Sequence, residues 1–145
     1  MSVLTPMLLS AGHEVAIIDN FLFKQNTLLD CCYDFKLQII RGDARDRDLM
    51  AKYIKDADII IPLAALVGAP ICDRFPIEAK TINLEAVKLI LELRRPEQKI
   101  IFPNTNSGYG IGQVGVFCTE ESPLKPISLY GRLKVEAERL VMSAG

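Results

Sequence analysis

The sequence has a single histidine and four cysteines among its 145 residues. The cysteines are Cys31, Cys32, Cys72 and Cys118, and none of them forms a CxxC motif or lies beside His13. Protein zinc sites are built from clusters of Cys and His at such short spacings. The sequence therefore predicts no metal site, and it indicates four reduced, partly buried thiols in a reducing compartment.

The chain also lacks a long apolar run and an excess of positive charge. Its longest apolar stretch, residues 57–70, is interrupted by Asp58, Pro62 and Gly68, which is unlike a bilayer-spanning helix. Residues 1–10 are apolar, but they have neither a basic n-region nor a small-residue cleavage site. The formal net charge is −1 and the basic residues are scattered, so no basic stripe is present for nucleic acid. We therefore expect a cytoplasmic protein with no membrane and no nucleic-acid partner.

Short β-branched runs alternate along the chain with longer helical patterns. The runs are almost continuously apolar, which is typical of strands covered on both faces in a parallel sheet. The predicted strands are Glu14–Ile18, Leu37–Ile40, Ala57–Pro62 and Lys99–Phe102. The predicted helices are Val3–Ala11, Asp46–Ile54, Ile77–Leu93 and a last one, capped by Ser128, that runs to about Met142. This order predicts an α/β protein with a doubly wound parallel sheet of the Rossmann type, and the length suits one domain.

The predicted order begins with a helix and has no strand before it. In a doubly wound nucleotide-binding fold the first strand is central, with neighbours on both sides. We therefore expect a gap in the middle of the sheet. Either the chain is truncated or another segment fills that place.

Three candidate positions follow the ends of the first three predicted strands. Asp19 can accept hydrogen bonds from both hydroxyls of an adenosine ribose and would repel a 2′-phosphate, which favours NAD over NADP. The alternative is a turn-forming pair with Asn20. Asp43 can lie near an adenine amino group, or it can cap the next helix. After the third strand, the small side chains in 63–65 allow the backbone to approach a ligand closely.

Tyr130 and Lys134 form the strongest candidate pair. Residues four apart share one face of a helix, and a neighbouring cation favours the phenolate form of tyrosine. Such a tyrosine can move a proton to or from a sugar hydroxyl near neutral pH. The hydroxyl-rich turn 104–110 follows the fourth strand, and a Ser or Thr hydroxyl there can steady developing charge on the reacting oxygen. The alternatives are an exposed Tyr-Lys pair and a simple polar turn.

Six sequence motifs, taken in order, resemble one known family. These are IIDNF (17–21), GDARD (42–46), PLAALVG (62–68), TINLEA (81–86), NTNSGYG (104–110) and YGRLK (130–134). The whole chain resembles the extended short-chain dehydrogenase/reductases, and in particular the NAD-dependent epimerase/dehydratase family that acts on nucleotide sugars. Each motif alone has low specificity, but six in the family's order are very specific.

The resemblance implies a fold, a cofactor and a set of site residues. The catalytic residues would be Thr105, Tyr130 and Lys134. Asp19 and Asn20 would hold the adenosine ribose, and Lys134 would also bind the nicotinamide ribose. The full set implied to bind NAD is Asp19, Asn20, Asp43, Ala44, Leu63, Ala64, Ala65, Asn83, Tyr130 and Lys134.

The sequence departs from the family pattern at two places. The glycine-rich GxxGxxG loop is absent, because Ser2-Val3-Leu4 resembles the stretch that directly follows its last glycine. The first strand and the C-terminal substrate domain are expected to be absent as well. These absences predict an incomplete NAD-binding domain over residues 1–145. The second departure is Thr105-Asn106-Ser107, where the family's 4,6-dehydratases have Thr-Asp-Glu and its decarboxylases have Glu.

The absence of a carboxylate at 105–107 favours an epimerase over a dehydratase or a decarboxylase. The resemblance therefore implies an NAD-dependent epimerase that acts on a nucleotide sugar through a keto-sugar intermediate, in a homodimer paired partly through the Tyr130 helix. The fragment itself is expected to be inactive. The alternatives are a ketoreductase or dehydrogenase on the same fold and a non-catalytic nucleotide-binding relative.

Overall fold

The computed structural model describes residues 3–112, 115 and 117–145. Four strands are present in these residues: β1 (Val15–Asp19), β2 (Leu37–Arg41), β3 (Ile59–Ile60) and β4 (Lys99–Ile100). The α-helices are α1 (Leu4–Ser10), α2 (Arg47–Ile54), α3 (Ala69–Arg74), α4 (Pro76–Lys80), α5 (Ala86–Leu93) and α6 (Leu129–Ser143). Short 3-10 helices lie at Leu29–Cys31 and Asn106–Tyr109.

The strands form two separate parallel pairs. β1 pairs with β2 from Val15 opposite Leu37 to Asp19 opposite Arg41. β3 pairs with β4 through Ile59 opposite Lys99 and Ile60 opposite Ile100. In the described residues, no strand lies along the other edge of β1 or of β3. The predicted parallel α/β architecture is therefore confirmed, and the expected interruption of the sheet lies between the two pairs.

The strands are less buried and partly shorter than predicted. β3 and β4 have two residues each, because the other residues of the predicted runs 57–62 and 99–102 make no ladder pairs. Ile39, Ile59 and Ile101 are 40%, 46% and 54% exposed. The expectation that both faces of every strand are covered is wrong at Ile39 and Ile59, because in the described residues each strand has a neighbouring strand along one edge only and the open edge leaves these side chains accessible.

The helical segment predicted at Ile77–Leu93 runs from Pro76 to Leu93 and contains a turn of π-helix at Thr81–Glu85. Such turns are rare and are found frequently at functional sites. Helix α3 was not predicted, because its first two residues are the last two of the apolar stretch 57–70. A local signal was present: Gly68 has a φ of +99°, and Pro70 lies in the first turn, where proline is tolerated.

Side-chain caps fix the starts of two helices; the predicted Ser128 cap is confirmed, whereas α2 is capped by Asp46 and not by Asp43. The Asp46 carboxylate accepts hydrogen bonds from the backbone N–H groups of Asp48 and Leu49 at the start of α2. The Ser128 hydroxyl accepts one from Gly131 N at 3.0 Å at the start of α6. Each cap satisfies N–H groups that have no partner within the helix, and α6 ends at Ser143, close to the predicted end.

Two clusters of buried residues form the core. The cluster between α3, the π turn, α5 and α6 includes Leu66, Cys72, Leu84 and Tyr130, and we call it the α6 cluster. A second cluster joins α2 to β3 and α5 through Met50, Ile54, Ile60 and Ile90. No helix in the described part of the chain is long and apolar enough to cross a lipid bilayer. Within the same residues, no group of three or more His, Cys, Asp or Glu side chains is arranged to hold a metal ion.

Candidate functional site

The first two strands bring Asp19 and Asp43 to the same edge of the sheet. Asp19 is the last residue of β1, and its carbonyl oxygen accepts a hydrogen bond from Gly42 N at 3.0 Å, directly before Asp43. The Asp19 Oδ1 atom accepts one from Phe21 N at 2.7 Å, and Asn20 Oδ1 accepts one from Leu22 N at 3.0 Å. The turn-forming role of this pair is therefore present. In the described residues the second carboxylate oxygen of Asp19 has no hydrogen-bond partner, so it can still bind a ligand.

A cavity of about 310 Å³ lies beside Asp19. Its walls come from the loop after β1 and from β2, and they include Phe21, Phe23, Leu29 and Ile39. The same cavity is also lined by polar side chains at 24–27, so a carboxylate at its rim can orient a ligand with both a flat apolar part and polar groups. The sequence motifs did not indicate this cavity, although Phe21 and Phe23 are apolar residues in a loop.

Asp43 is held by Arg45, a residue to which the motifs assigned no role. Arg45 donates from its backbone N and its Nε atom to Asp43 Oδ1, each at 2.9 Å, and from a terminal nitrogen to Oδ2 at 2.6 Å. This contact holds the pKa of the Asp43 carboxyl below its usual value. Arg45 also donates to the Thr81 hydroxyl at 3.0 Å. The helix that follows is capped by Asp46, so Asp43 is not its cap, whereas the half-buried Ala44 packs against the second core cluster.

The segment after β3 runs from exposed to buried. Leu63 is 39% exposed, Ala64 is exposed and Ala65 is half-buried, whereas Leu66 is 4% exposed. The Asn83 side chain, in the π turn, accepts a hydrogen bond from Leu66 N at 2.8 Å and donates one to Leu66 O at 2.9 Å. Asn83 thus fixes the backbone at the point where the segment enters the core.

Helix α6 presents Tyr130 and Lys134 on one face, and both side chains are buried, at 8% and 6% exposure. The Lys134 Nζ atom lies 3.9 Å from the centre of the Phe102 ring. Burial lowers the pKa of Lys134, and the nearby Glu138 opposes this shift only in part. Among the described residues, no carboxylate forms an ion pair with Lys134. The interpretation of this pair as exposed surface residues is therefore wrong.

Thr105 lies in the turn against which α6 packs. Its hydroxyl is 3.3 Å from the Ser107 hydroxyl and accepts a hydrogen bond from Ser107 N, so it caps the short 3-10 helix. A Cβ atom on Gly131 would lie 2.7 Å from Ser107 O, closer than van der Waals contact allows. The absence of a side chain at Gly131 therefore lets the Tyr130 helix approach the Thr105 turn.

The fold and the site define an α/β domain of parallel strands, the first two of which end in Asp19 and Arg41, and whose last helix carries a buried Tyr-Lys pair. Residues 2–145 match the NAD dependent epimerase/dehydratase family. The chain belongs to this family. The predicted family is therefore confirmed, and so is NAD as the cofactor on which the family depends.

Individual relatives agree with this assignment. The dTDP-4-dehydrorhamnose reductase of Sinorhizobium fredii is 33% identical over 105 residues, which are 70% of this chain and 35% of the reductase. The structure of Pal from Bacillus thuringiensis is 26% identical with a TM-score of 0.88, over 96% of this chain and 46% of that protein. The Bacillus cereus UDP-glucuronic acid 4-epimerase, solved with UDP-glucuronic acid and NAD, is 27% identical with a TM-score of 0.84, over 99% of this chain and 48% of that protein. The chain thus spans about a third of the reductase and just under half of the two solved proteins.

Proposed function

We propose that this chain is most of the NAD-binding part of an enzyme that epimerises a nucleotide sugar, working in the cytoplasm. The observation that carries the proposal is the buried cation Lys134. Burial of the Lys134 side chain disfavours its ammonium form, no carboxylate among the described residues pairs with it, and ionisable groups with perturbed pKa values are concentrated at functional sites. Lys134 lies one helical turn after the buried residue Tyr130, at the end of α6 that packs against the Thr105 turn.

The residues present fit NAD. The free oxygen of Asp19 and the partly apolar cavity beside it suit an adenosine, and the small side chains of Ala64 and Ala65 leave the backbone after β3 open to a ligand. The other contacts proposed for the adenosine and for the rest of the cofactor come from residues that follow the ends of β1, β2 and β3, namely Asn20, Asp43, Ala44 and Leu63. Asn83 holds the neighbouring Leu66. When bound, NAD supplies a hydride acceptor and donor.

The catalytic roles follow from the chemistry of three side chains. The Tyr130 hydroxyl exchanges a proton with the sugar hydroxyl that becomes a carbonyl. The Lys134 ammonium stabilises the phenolate form of Tyr130 and donates to the nicotinamide ribose. The Thr105 hydroxyl, released from its contact with Ser107, donates to the same sugar oxygen.

An epimerase needs no further acid in the turn, whereas loss of water or carbon dioxide from the sugar needs extra proton transfers. Residues 105–107 contain no carboxylate. This supports an epimerase over the family's dehydratases and decarboxylases.

The test is Tyr130→Phe in the natural protein. Phenylalanine keeps the ring that packs in the α6 cluster and removes only the hydroxyl. We expect epimerisation to fall by about 10²–10⁴-fold, the usual contribution of a general acid–base group, while NAD binding and the melting temperature stay near the wild-type values. Turnover retained in this variant would refute the proposed role of Tyr130.

A second candidate function, a ketoreductase, is favoured by the 33% identity to a reductase. The two functions differ in their use of cofactor. A reductase oxidises one NADH for each sugar reduced, whereas an epimerase returns the hydride and shows no net change at the NADH absorbance band. Absorbance followed during turnover of a nucleotide sugar separates them.

Pairing of two copies through α6 stays a prediction. Leu133 is 6% exposed within the α6 cluster, and Leu140 and Val141 pack partly against the same cluster. These three residues are therefore used within the chain. The oligomeric state of the natural protein, measured by light scattering, tests the prediction.

A further inference from the structure

A buried polar network fixes the backbone of Leu66. Asn83 is 2% exposed and binds both backbone polar groups of Leu66, while its Nδ2 atom also lies 3.8 Å from Cys72 Sγ. The Cys72 side chain is fully buried, and its Sγ atom donates to Leu66 O at 3.3 Å. Burial raises the pKa of the Cys72 thiol, so it stays protonated and can donate. Two side chains, from α3 and the π turn, thus hold the two peptide units on either side of the Leu66 Cα atom.

Leu66 occupies a position between the two halves of the proposed site. It directly follows the segment 63–65, which is proposed to lie along the cofactor. Its own side chain packs in the α6 cluster, which also contains Tyr130. A shift of the Leu66 backbone would therefore move the segment 63–65 relative to Tyr130.

The hydrogen-bonding capacity of Asn83 argues for an indirect role. A side-chain amide has two N–H donors, and in Asn83 these face Leu66 O and Cys72 Sγ. No donor is left for a ligand. At 2% exposure the side chain also has almost no surface that a ligand can reach.

We propose that Asn83 and Cys72 are positioning residues, which act on NAD through Leu66 by fixing the segment 63–65 in its binding conformation. This inference rests on the proposed function. It assigns a role to Cys72 and makes Asn83 a support of the cofactor site rather than a direct contact.

A buried network can also serve stability alone, and Gln98 provides a matched control. Gln98 is likewise 2% exposed, and its amide donates to Ile54 O at 2.6 Å and to Ala57 O and accepts from Arg95 N at 2.7 Å. It precedes β4, at the end of the strand pair opposite to the segment 63–65. Loss of the Gln98 amide should therefore destabilise the fold without reaching the cofactor site.

The experiment compares Asn83→Leu, Cys72→Ala and Gln98→Leu in the natural protein. The measurements are the NAD dissociation constant by calorimetry and the melting temperature without NAD. We expect Asn83→Leu to weaken NAD binding about tenfold or more, as loss of two backbone hydrogen bonds would, and Cys72→Ala to weaken it by about three- to fivefold. Gln98→Leu is expected to lower the melting temperature while changing the dissociation constant by less than about twofold.

A rescue variant separates the donor role of Cys72 from its packing. Cys72→Ser keeps a donor toward Leu66 O, and it should bind NAD more tightly than Cys72→Ala. If Asn83→Leu does not fold, the pair Cys72→Ala and Cys72→Ser decides the question. The inference is overturned if these variants bind NAD like the wild type, or if Gln98→Leu weakens binding equally. Failure of the wild-type protein to bind NAD would instead refute the proposed function.

Discussion

Replacement of Gly131 by alanine tests whether α6 must touch the Thr105 turn. The added Cβ atom would lie 2.7 Å from the backbone oxygen of Ser107, 3.1 Å from Pro126 Cβ and 3.2 Å from Ser128 Oγ. An unstrained carbon–oxygen contact is about 3.3 Å, so α6 and the turn would have to separate by roughly 0.6 Å. The nearest atom belongs to the backbone, which cannot rotate away as a flexible side chain can.

Two opposing effects set the magnitude for Gly131→Ala. Alanine is favoured over glycine inside a helix by about 1 kcal/mol, whereas overpacking a well-packed contact costs about 1–3 kcal/mol. We therefore expect a net loss of about 1 kcal/mol, or about 3–5 °C in melting temperature for a domain of this size. Misplacement of catalytic groups by about 1 Å can lower rates by about 10²-fold, so turnover should fall about tenfold.

The assay is thermal unfolding together with nucleotide-sugar turnover by the natural protein. Gly112→Ala is the control, because a Cβ atom at Gly112 would meet no atom of the described residues within 4 Å. If Gly131→Ala behaves like Gly112→Ala in both measurements, close contact between α6 and the turn is not needed, and the reasoning is refuted.

Two further predictions concern charged residues. Burial lowers the pKa of Lys134, so the folded state disfavours its ammonium and is destabilised by it. This destabilisation has its full value below the lowered pKa and disappears as the pH rises past the ordinary value of 10.5. Lys134→Met should therefore raise the free energy of unfolding without NAD by about 1 kcal/mol at neutral pH, and this gain should shrink towards about pH 10.5. The same variant should bind NAD more weakly. Melting curves measured across pH would contradict the prediction if the variant is less stable than the wild type. Arg45→Ala should raise the pKa of Asp43 in an NMR titration. Because the Arg45–Asp43 pair is partly exposed, the substitution should also lower the free energy of unfolding by at most about 1 kcal/mol at neutral pH. This difference should disappear as the pH falls through the lowered Asp43 pKa. An unchanged titration of the Asp43 carboxyl would contradict the prediction.

The sequence was sufficient for the type and order of most elements. Strands at 14–18 and 37–40 were predicted within one residue at each end, because their β-branched runs are bounded by turn residues. The ends of β3 and β4 could not be predicted, since a ladder ends where its partner ends and not where the apolar run does. Helix α3 was missed for a related reason, because a short helix that adjoins an apolar run has no periodicity of its own.

The placement of the candidate site residues could be predicted where they are close in sequence. Tyr130 and Lys134 share a helix face, and four-residue spacing is visible in any sequence. Other contacts of the candidate site join parts of the chain that are farther apart in sequence, as with the Phe102 ring at Lys134 and the Asn83 side chain on Leu66. Arg45 is only two residues from Asp43, but glycine-aspartate turns do not dictate which cation folds back onto the carboxylate.

The two-pair arrangement of the strands has a consequence for handling the protein. β1 and β3 each present, in the described residues, an edge without a neighbouring strand, and Ile59 and Ile101 are half exposed nearby. Open edges of apolar strands are templates for pairing with other chains. A polypeptide of these residues alone should therefore tend to self-associate through intermolecular β-pairing at high concentration. An added peptide that occupies those edges should suppress this aggregation.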